Sequence, residues 1–108
     1  MGASQDIVIV GGCGHVGLPL GIVLATRGGA RVTLLDIDAK KVELVNSGRM
    51  PSLEVGAEEL LKQVIGNNLR ATLDSACLQT TDVVITVVGT PVDEYLNPTA
   101  EREQPRIP

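Results

Sequence analysis

Short apolar runs of strand length alternate with stretches of helical periodicity along this chain. Each run is followed by a glycine or an acidic residue, and the stretches between the runs place apolar residues three and four positions apart. Strands that alternate with helices are typical of an α/β fold with a parallel sheet. We predict a Rossmann-type doubly wound parallel sheet with helices on both faces, truncated in this chain. The predicted strands are 6–10, 31–35, 69–73 and 82–88, and the predicted helices are 15–26, 39–46, a third around 60–65 and a single turn at 74–78.

The first predicted helix carries a proline close to its start. Pro19 lacks the N–H group that a helix interior needs, so the helix is expected to begin near His15 or Val16, with Pro19 in its first turn. Asp38 and Asp74 precede later helical stretches and are predicted to cap them. The side chains expected to pack the first helix against the sheet are those at helical spacing, namely Val16, Leu20, Val23 and Leu24.

Composition and charge narrow the class of protein. With 108 residues, one domain is the limit, and Tyr95 is the only aromatic residue, so the core must consist of Val, Ile, Leu and Ala. The net charge of -4 argues against a nucleic-acid partner, which requires a cationic surface. The apolar runs are far shorter than the roughly 20 residues that span a bilayer, and no secretory signal pattern opens the chain. We therefore expect no membrane partner and a cytoplasmic location.

The segment Gly12-Cys13-Gly14-His15-Val16-Gly17 follows the first predicted strand and opens the first predicted helix. This is the context and spacing of the G-x-G-x-x-G pattern that binds the pyrophosphate of a dinucleotide. Gly12 is expected to permit the turn, Gly14 to let the backbone approach the phosphates, and Gly17 to pack the helix against the strand. The N–H groups at the helix start, at the positive end of the helix dipole, would then hold the anion.

Asp36 stands at the end of the second predicted strand, where an acid can accept hydrogen bonds from the adenosine ribose. A 2′-phosphate about 4 Å from this carboxylate would be repelled by about 4 kcal/mol at an effective dielectric constant of about 20. The predicted cofactor is therefore NAD rather than NADP, with the reservation that Lys40 and Lys41 lie nearby. Lys41 has two open interpretations, a contact with the ribose or adenine side of the cofactor and a solvated surface lysine.

Cys13 and His15 allow a different interpretation, a catalytic or metal-binding Cys/His pair. No third ligand or base is near in sequence, so His15 is instead expected to offer its backbone N–H to the phosphate, and no metal site is predicted. Both cysteines are expected to be reduced thiols. Cys77 is expected to be a small buried residue on the short helical turn.

The segment after the last predicted strand is expected at the same crevice. In a doubly wound sheet, the strand that crosses to the other side of the first strand ends beside the cofactor. An ordinary strand-ending turn is the alternative interpretation. The residues predicted to line the nicotinamide half of the cofactor are Val88, Gly89, Thr90 and Pro91.

The composition changes toward the carboxyl end of the chain. From Asp93 onward few residues can be buried, and prolines recur. The NAD-binding domain is therefore predicted to occupy residues 1–98, followed by an exit segment or tail at 99–108.

Beyond the generic pattern, four separated blocks resemble the N-terminal part of the UDP-glucose/GDP-mannose dehydrogenase family. The Gly-Leu-Pro-Leu continuation of the glycine loop and the Gly-Thr-Pro ending of the last strand are more specific than the glycine triplet. Order and spacing match over residues 5 to 98. The blocks are Gly12 to Leu20, Asp36 to Val42, Pro51 to Gly56, and Thr81-Asp82 through Val88 to Pro91.

The resemblance implies an activity and roles for individual residues. Members of the family oxidise the 6-hydroxymethyl group of a nucleotide sugar to a carboxylate in two steps and reduce two NAD molecules. The family's cysteine nucleophile and its catalytic lysine, asparagine and aspartate lie in later segments that this chain lacks, so no catalytic residue is assigned here. Neither Cys13 nor Cys77 matches the place of the nucleophile. The residues implied to bind NAD are Gly12, Gly14, His15 and Val16 for the pyrophosphate, Asp36 and Lys41 for the ribose, and Val88, Thr90 and Pro91 for the nicotinamide side.

The resulting hypothesis is the NAD-binding portion of a nucleotide-sugar 6-dehydrogenase of polysaccharide biosynthesis, which alone binds NAD without catalysis. The stretch from Asp93 to Pro98 is similar to members that act on UDP-N-acetylated hexosamines, such as UDP-N-acetylmannosamine dehydrogenases, and a UDP-sugar would bind only in a longer chain. Two alternatives stay open, the NAD-binding domain of another dehydrogenase and a non-catalytic NAD-sensing module. The oligomeric state also stays open, a homo-oligomer included.

Overall fold

The computed structural model describes residues 5–51 and 56–87 of the chain. Its strands and helices alternate in the predicted order. The strands are β1 (Asp6–Val10), β2 (Arg31–Leu35), β3 (Leu69–Thr72) and β4 (Val83–Thr86), and the helices are α1 (Gly17–Thr26), α2 (Ala39–Asn46) and α3 (Ala57–Val64), with a short 3₁₀ helix at Ser75–Gln79. β3 and β4 are shorter than predicted. The predictions made for 88–91, for 93–98 and for the boundary at 98 and 99 lie outside the described residues.

The four strands form one parallel sheet in the order β3-β2-β1-β4. β1 pairs with β2 on one side and with β4 on the other, so that Val10 stands beside both Leu35 and Thr86 at the carboxyl ends of the strands. The chain moves outward from β1 to β3 and then crosses back to the far side of β1. This order confirms the Rossmann-type prediction. The reversal between β1 and β4 places the crevice that ligands use in such sheets at the end of β1.

Local sequence signals set the helix ends. Pro19 lies in the first turn of α1, where a missing N–H group costs no helical hydrogen bond. The side chain of Asp38 caps α2 through two backbone N–H groups, and Asp74 caps the 3₁₀ helix in the same way through one. These three predictions are confirmed. α1 begins at Gly17, one or two residues later than expected.

α1 packs on the sheet through a different face from the predicted one. Val16 and Val23 are 63% and 49% exposed, whereas Ile22 is 2% exposed. The prediction was wrong for Val16 and Val23, whereas Leu20 and Leu24 do pack against the core. Spacing alone does not select the buried face, because α1 is apolar on every side. A close approach of Gly21 to β2 selects it, since a Cβ atom there would lie 2.7 Å from Leu34 Cδ2. The buried residues of α1 are Gly17, Leu18, Gly21, Ile22 and Ala25, with Leu20 and Leu24 partly buried.

One face of the sheet carries the main core. α1, α2 and α3 pack there against alternate strand residues such as Ile9 and Leu34, both fully buried. The connections from β1 to β2 and from β2 to β3 run in the same direction across the sheet, so right-handed crossovers place their helices on one face. The connection from β3 to β4 runs in the opposite direction and places the 3₁₀ helix near β2 on the other face. No helix among the described residues is long and apolar enough to cross a bilayer.

Cys77 on the 3₁₀ helix is only partly buried. The prediction that it is a buried residue was therefore wrong. A helix of little more than one turn covers too little of the sheet to bury its own side chains, and none of its residues is buried.

Candidate functional site

The loop between β1 and α1 turns at a glycine that the G-x-G-x-x-G pattern does not include. Gly11 has a φ of 80°, in the left-handed region that favours glycine. A Cβ atom at Gly11 would also lie 2.6 Å from the carbonyl oxygen of Val87. Gly12 was predicted to permit the turn, but its φ is not positive, and that role belongs to Gly11. The sequence signal that identifies this missed residue is the glycine pair at the end of β1.

Gly12, Gly14 and Gly17 differ in why a side chain is absent. A Cβ atom at Gly12 would lie 2.7 Å from Leu34 Cβ, and one at Gly17 would lie 2.8 Å from Gly12 Cα. These two glycines let α1 and the loop pack closely on each other and on β2. A Cβ atom at Gly14 would meet nothing closer than the carbonyl oxygen of Gly11, at 3.5 Å. Packing against the described residues does not require glycine at position 14, in contrast to positions 12 and 17.

The start of α1 presents backbone N–H groups that have no partner among the described residues. α1 has no side-chain cap, and in the part of the chain that the structure describes the N–H groups of His15 and Val16 donate no hydrogen bond. Both residues are exposed. Their N–H groups lie at the positive end of the helix dipole. This arrangement suits an anion, and it fits the pyrophosphate of a dinucleotide.

Asp36 directly follows β2 and lies beside the glycine loop. Its Oδ2 atom accepts a hydrogen bond from the backbone N–H of Cys13 at 3.0 Å, and its Oδ1 atom accepts one from the N–H of Asp38 at 3.0 Å. A carboxylate has about four acceptor positions, so positions remain for the hydroxyl groups of a ligand. The fold thus places the predicted ribose acid one hydrogen bond from the predicted phosphate loop.

Lys41 lies in the first turn of α2 and lines a small cavity beside the glycine loop. The cavity has a volume of about 200 Å³ and also includes Gly14, His15 and Met50 in its lining. The lysine side chain is close enough to the loop for its charge to lower the pKa of the Cys13 thiol, against larger opposing effects. Three of the residues predicted for the cofactor, Gly14, His15 and Lys41, therefore share one cavity.

The thiol of Cys13 is buried beneath the glycine loop. Its side chain is 2% exposed, and burial, followed by the charge of Asp36, raises the pKa of the thiol to about 12. The thiol is protonated at neutral pH and is therefore not a nucleophile. Within residues 5–51 and 56–87, no group of three His, Cys, Asp or Glu side chains is placed to hold a metal ion.

The chain leaves β4 beside the glycine loop. The N–H of Val87 donates to the carbonyl oxygen of Val10 at 2.9 Å. The residues predicted for the nicotinamide side follow immediately in sequence, but they lie outside the described residues. The placement of Val88, Gly89, Thr90 and Pro91 stays a prediction.

An exposed apolar side chain that the sequence did not single out stands next to the ribose acid. Ile37 is 98% exposed and follows Asp36 at the carboxyl edge of the sheet. No described part of the chain covers it, so it is free to contact a ligand bound at this edge.

A larger cavity lies away from this site. Its volume is about 350 Å³, and its lining includes Asp6, Arg31 and Leu69, the first residues of β1, β2 and β3. Ligands of open α/β sheets bind at the carboxyl ends of the strands, whereas this cavity lies at the amino ends. Size alone therefore does not identify the cofactor site.

Comparison with known proteins shows which protein family the chain matches. The UDP-glucose/GDP-mannose dehydrogenase family, NAD binding domain, matches residues 5–102. GDP-mannose 6-dehydrogenase of Pseudomonas syringae pv. syringae is 40% identical over 82 residues, which are 74% of this chain and 18% of that protein. UDP-glucose 6-dehydrogenase YwqF of Bacillus subtilis (strain 168) is 34% identical over 90 residues, which are 81% of this chain and 20% of that protein.

A solved structure is similar over the same part of the chain. The ternary complex of GDP-mannose dehydrogenase from Pseudomonas aeruginosa has a TM-score of 0.71 and 36% identity, and the match covers 79% of this chain and 20% of that one. The chain thus spans about a fifth of the length of these relatives.

Proposed function

Because the chain belongs to the UDP-glucose/GDP-mannose dehydrogenase family, as its NAD-binding domain, we propose that it is the cofactor-binding part of a nucleotide-sugar 6-dehydrogenase. Such an enzyme oxidises the 6-hydroxymethyl group of a nucleotide sugar to a carboxylate in two steps and reduces two NAD molecules. The observation that carries the proposal is the juxtaposition of N–H groups at the start of α1, which have no partner in residues 5–51 and 56–87, with the Asp36 carboxylate at the end of β2. The first suits a pyrophosphate and the second suits ribose hydroxyls.

The glycine loop is proposed to hold the pyrophosphate. The N–H groups of His15 and Val16 would donate to phosphate oxygens, and Gly14 leaves the phosphates room to approach the backbone. Gly12 and Gly17 would contribute indirectly, by allowing the close packing that holds the loop against α1 and β2. When bound, NAD supplies the hydride acceptor for the oxidation.

The adenosine half is proposed to lie along the end of β2. Asp36 would accept hydrogen bonds from the ribose hydroxyls through its remaining acceptor positions, and Lys41 would donate to the same ribose from the cavity beside the loop. The exposed side chain of Ile37 would cover one face of the adenine ring. The Asp36 charge would repel the 2′-phosphate of NADP, which makes NAD the preferred cofactor.

The nicotinamide half is proposed to lie against Val88, Gly89, Thr90 and Pro91. The exit of the chain from β4 beside Gly11 supports this position, since a Cβ atom at Gly11 would touch the carbonyl oxygen of Val87. The Gly-Thr-Pro ending that resembles the family supports it as well.

The sugar substrate is proposed to bind only in a longer polypeptide. The relatives named for GDP-mannose and UDP-glucose are about five times as long as the matched segment, and the family resemblance puts the catalytic groups in later segments. This chain alone would bind NAD and would not oxidise a sugar. The whole enzyme is proposed to act on a nucleotide sugar such as a UDP-sugar, in the cytoplasm, in polysaccharide biosynthesis.

Calorimetric titration with NADH and NADPH tests the cofactor proposal. We expect NADH to bind at least about tenfold more tightly than NADPH, because the Asp36 charge opposes the extra phosphate. Asp36→Ala should weaken NADH binding and narrow the gap between the two cofactors. Asp74→Ala is the matched control, because it removes an acid that caps only the 3₁₀ helix, and it should leave the gap unchanged. Binding of neither cofactor, or tighter binding of NADPH to the unaltered protein, would contradict the proposal.

A further inference from the structure

Three consecutive N–H groups of the glycine loop are bonded to the end of β2. Those of Gly11 and Gly12 donate to the carbonyl oxygen of Leu35 at 2.8 and 3.2 Å. The N–H of Cys13 donates to Asp36 Oδ2 at 3.0 Å. A backbone carbonyl is present whatever the side chain, but the third acceptor is supplied by a side chain. Asp36 therefore completes the anchoring of the loop.

The Asp36 carboxylate is itself held from the other side. Its Oδ1 atom accepts a hydrogen bond from the N–H of Asp38 at 3.0 Å, and Asp38 in turn caps α2. The start of α2, the carboxylate and the glycine loop are thus joined in one series of hydrogen bonds. Because the acceptor is charged, the bond to Cys13 is stronger than one to a neutral oxygen.

Cys13 directly precedes the part of the loop that faces the phosphates. Its side chain is buried in the core, while its N–H is held by Asp36. The N–H of the next residue, Gly14, donates a 3.3 Å hydrogen bond to the carbonyl oxygen of Gly11, and a Cβ atom at Gly14 would make no contact shorter than 3.5 Å with the described residues. The direction in which the following N–H groups point therefore depends on how Cys13 is held.

We propose that Asp36 is a positioning residue for the pyrophosphate as well as a ligand of the ribose. Its carboxylate holds the N–H of Cys13 and thereby keeps the glycine loop in the conformation that presents the N–H groups of His15 and Val16 to the phosphates. This inference rests on the proposed NAD site. The change in anion affinity that it predicts is opposite in sign to the effect of charge alone. If charge is the only effect, removing an acid next to an anion site strengthens anion binding. Positioning requires that the same removal weaken it.

Titration with inorganic pyrophosphate, which has no ribose, separates the two effects. The protein, Asp36→Asn, Asp36→Ala and the control Asp74→Asn are titrated at constant ionic strength, and the dissociation constants are obtained from the backbone N–H shifts of residues 12–17 in NMR spectra. We expect pyrophosphate affinity to fall in the order unaltered protein, Asp36→Asn, Asp36→Ala, because Asn keeps one acceptor oxygen and Ala keeps none. The loss in Asp36→Ala should be about fivefold or more, with Asp74→Asn unchanged. Equal or tighter binding by both Asp36 variants would overturn the proposal.

A second measurement needs no ligand, so it separates failure of this inference from failure of the cofactor proposal. In a Cys77→Ser background, Cys13 is the only thiol. Its rate of modification by a thiol reagent, corrected for the change in thiol pKa when the Asp36 charge is removed, reports how often the loop opens. We expect Asp36→Ala to raise that rate and to accelerate hydrogen exchange at the Cys13 N–H, while the global free energy of unfolding, measured in urea, identifies any general loss of stability. If the unaltered protein binds neither NADH nor pyrophosphate, the cofactor proposal fails, whereas an unchanged modification rate and unchanged exchange at Cys13 refute the role of Asp36 in holding the loop.

Discussion

The glycines of the loop after β1 differ in whether an added methyl group would collide with other atoms of the chain. At Gly17 a Cβ atom would lie 2.6 Å from the carbonyl oxygen of Gly11, and neither backbone segment can yield without moving α1. At Gly14 the nearest atom would be 3.5 Å away, an ordinary contact. The pattern G-x-G-x-x-G treats these positions alike, although Gly17 is required by the packing of the chain and Gly14 is proposed to leave room for the pyrophosphate.

The two glycines should therefore respond differently to alanine. Gly17→Ala is expected to lower the free energy of unfolding by about 2 kcal/mol, because the added methyl group overlaps backbone atoms. Gly14→Ala is expected to change it by less than about 0.5 kcal/mol but to weaken NADH binding, because the methyl group occupies space proposed for the pyrophosphate. Urea denaturation and calorimetry measure the two quantities. A Gly14→Ala protein that binds NADH normally would contradict the role given to this position.

Cys13 makes stability depend on pH on the alkaline side. Burial and the charge of Asp36 raise the pKa of its thiol to about 12, so the folded state keeps a proton that the unfolded chain loses above about pH 9. The unfolded state then binds fewer protons, and the free energy of unfolding falls between about pH 9 and about pH 12, by up to about 1.4 kcal/mol per pH unit. Below pH 9 both states are protonated, and this contribution is constant.

Comparison with Cys13→Ala isolates that contribution from other groups that titrate in the same range. The stability advantage of the unaltered protein over Cys13→Ala should shrink when urea denaturation is carried out at about pH 10 instead of about pH 8. Cys77→Ala, at a partly buried position, serves as the control. A difference that does not vary with pH would contradict the protonated, buried state of Cys13.

Among the elements, α1 shows most clearly which features the local sequence pattern predicts and which it does not. The existence and approximate length of the helix, and the place of Pro19 in its first turn, follow from residues close to one another in sequence. Its buried face does not, because apolar residues occur on every side and any of them satisfies helical spacing. Gly21 and Leu34 decide the face by meeting at close range, and they belong to different elements.

A pair of neighbouring residues on α1 tests this orientation. Ile22→Ala should lower the free energy of unfolding by about 2 to 4 kcal/mol, because the side chain is fully packed against the sheet. Val23→Ala, a truncation at a half-exposed position, should lower it by less than about 0.5 kcal/mol. Chemical denaturation of both variants gives the comparison. Equal losses would contradict the burial of Ile22 and the half-exposed position of Val23.

The molecule as a whole is organised around the carboxyl edge of its sheet. The glycine loop, Asp36 and the exit from β4 all lie at this edge, since parallel strands end on the same side. On the face opposite the main helices, Val84 of β4 is 48% exposed. The described residues thus supply the edge that is proposed to bind the cofactor and one covered face of the sheet.

Binding without turnover is the expectation for the chain alone. When the chain is mixed with NAD and with GDP-mannose, UDP-glucose or UDP-N-acetylmannosamine, the absorbance of NADH should increase no faster than in a protein-free control. NADH binding, measured on the same sample, should still be observed, because the proposed NAD contacts come from loops of this chain. Production of NADH with any of these sugars would contradict the proposal that catalysis requires later segments.

Sequence alone determined the order of strands and helices, the caps at Asp38 and Asp74, and the presence of a glycine loop and an acid at the ends of successive strands. Each of these depends on periodicity or chemistry within a few neighbouring residues, which the sequence displays directly. The tertiary structure decided the buried face of α1 and the turn at Gly11, where the carbonyl oxygen of Val87 approaches. It also decided the bond between the Cys13 N–H and Asp36, which lie 23 positions apart. Such contacts depend on which segments the fold brings together, and spacing along the chain does not encode the distance between them.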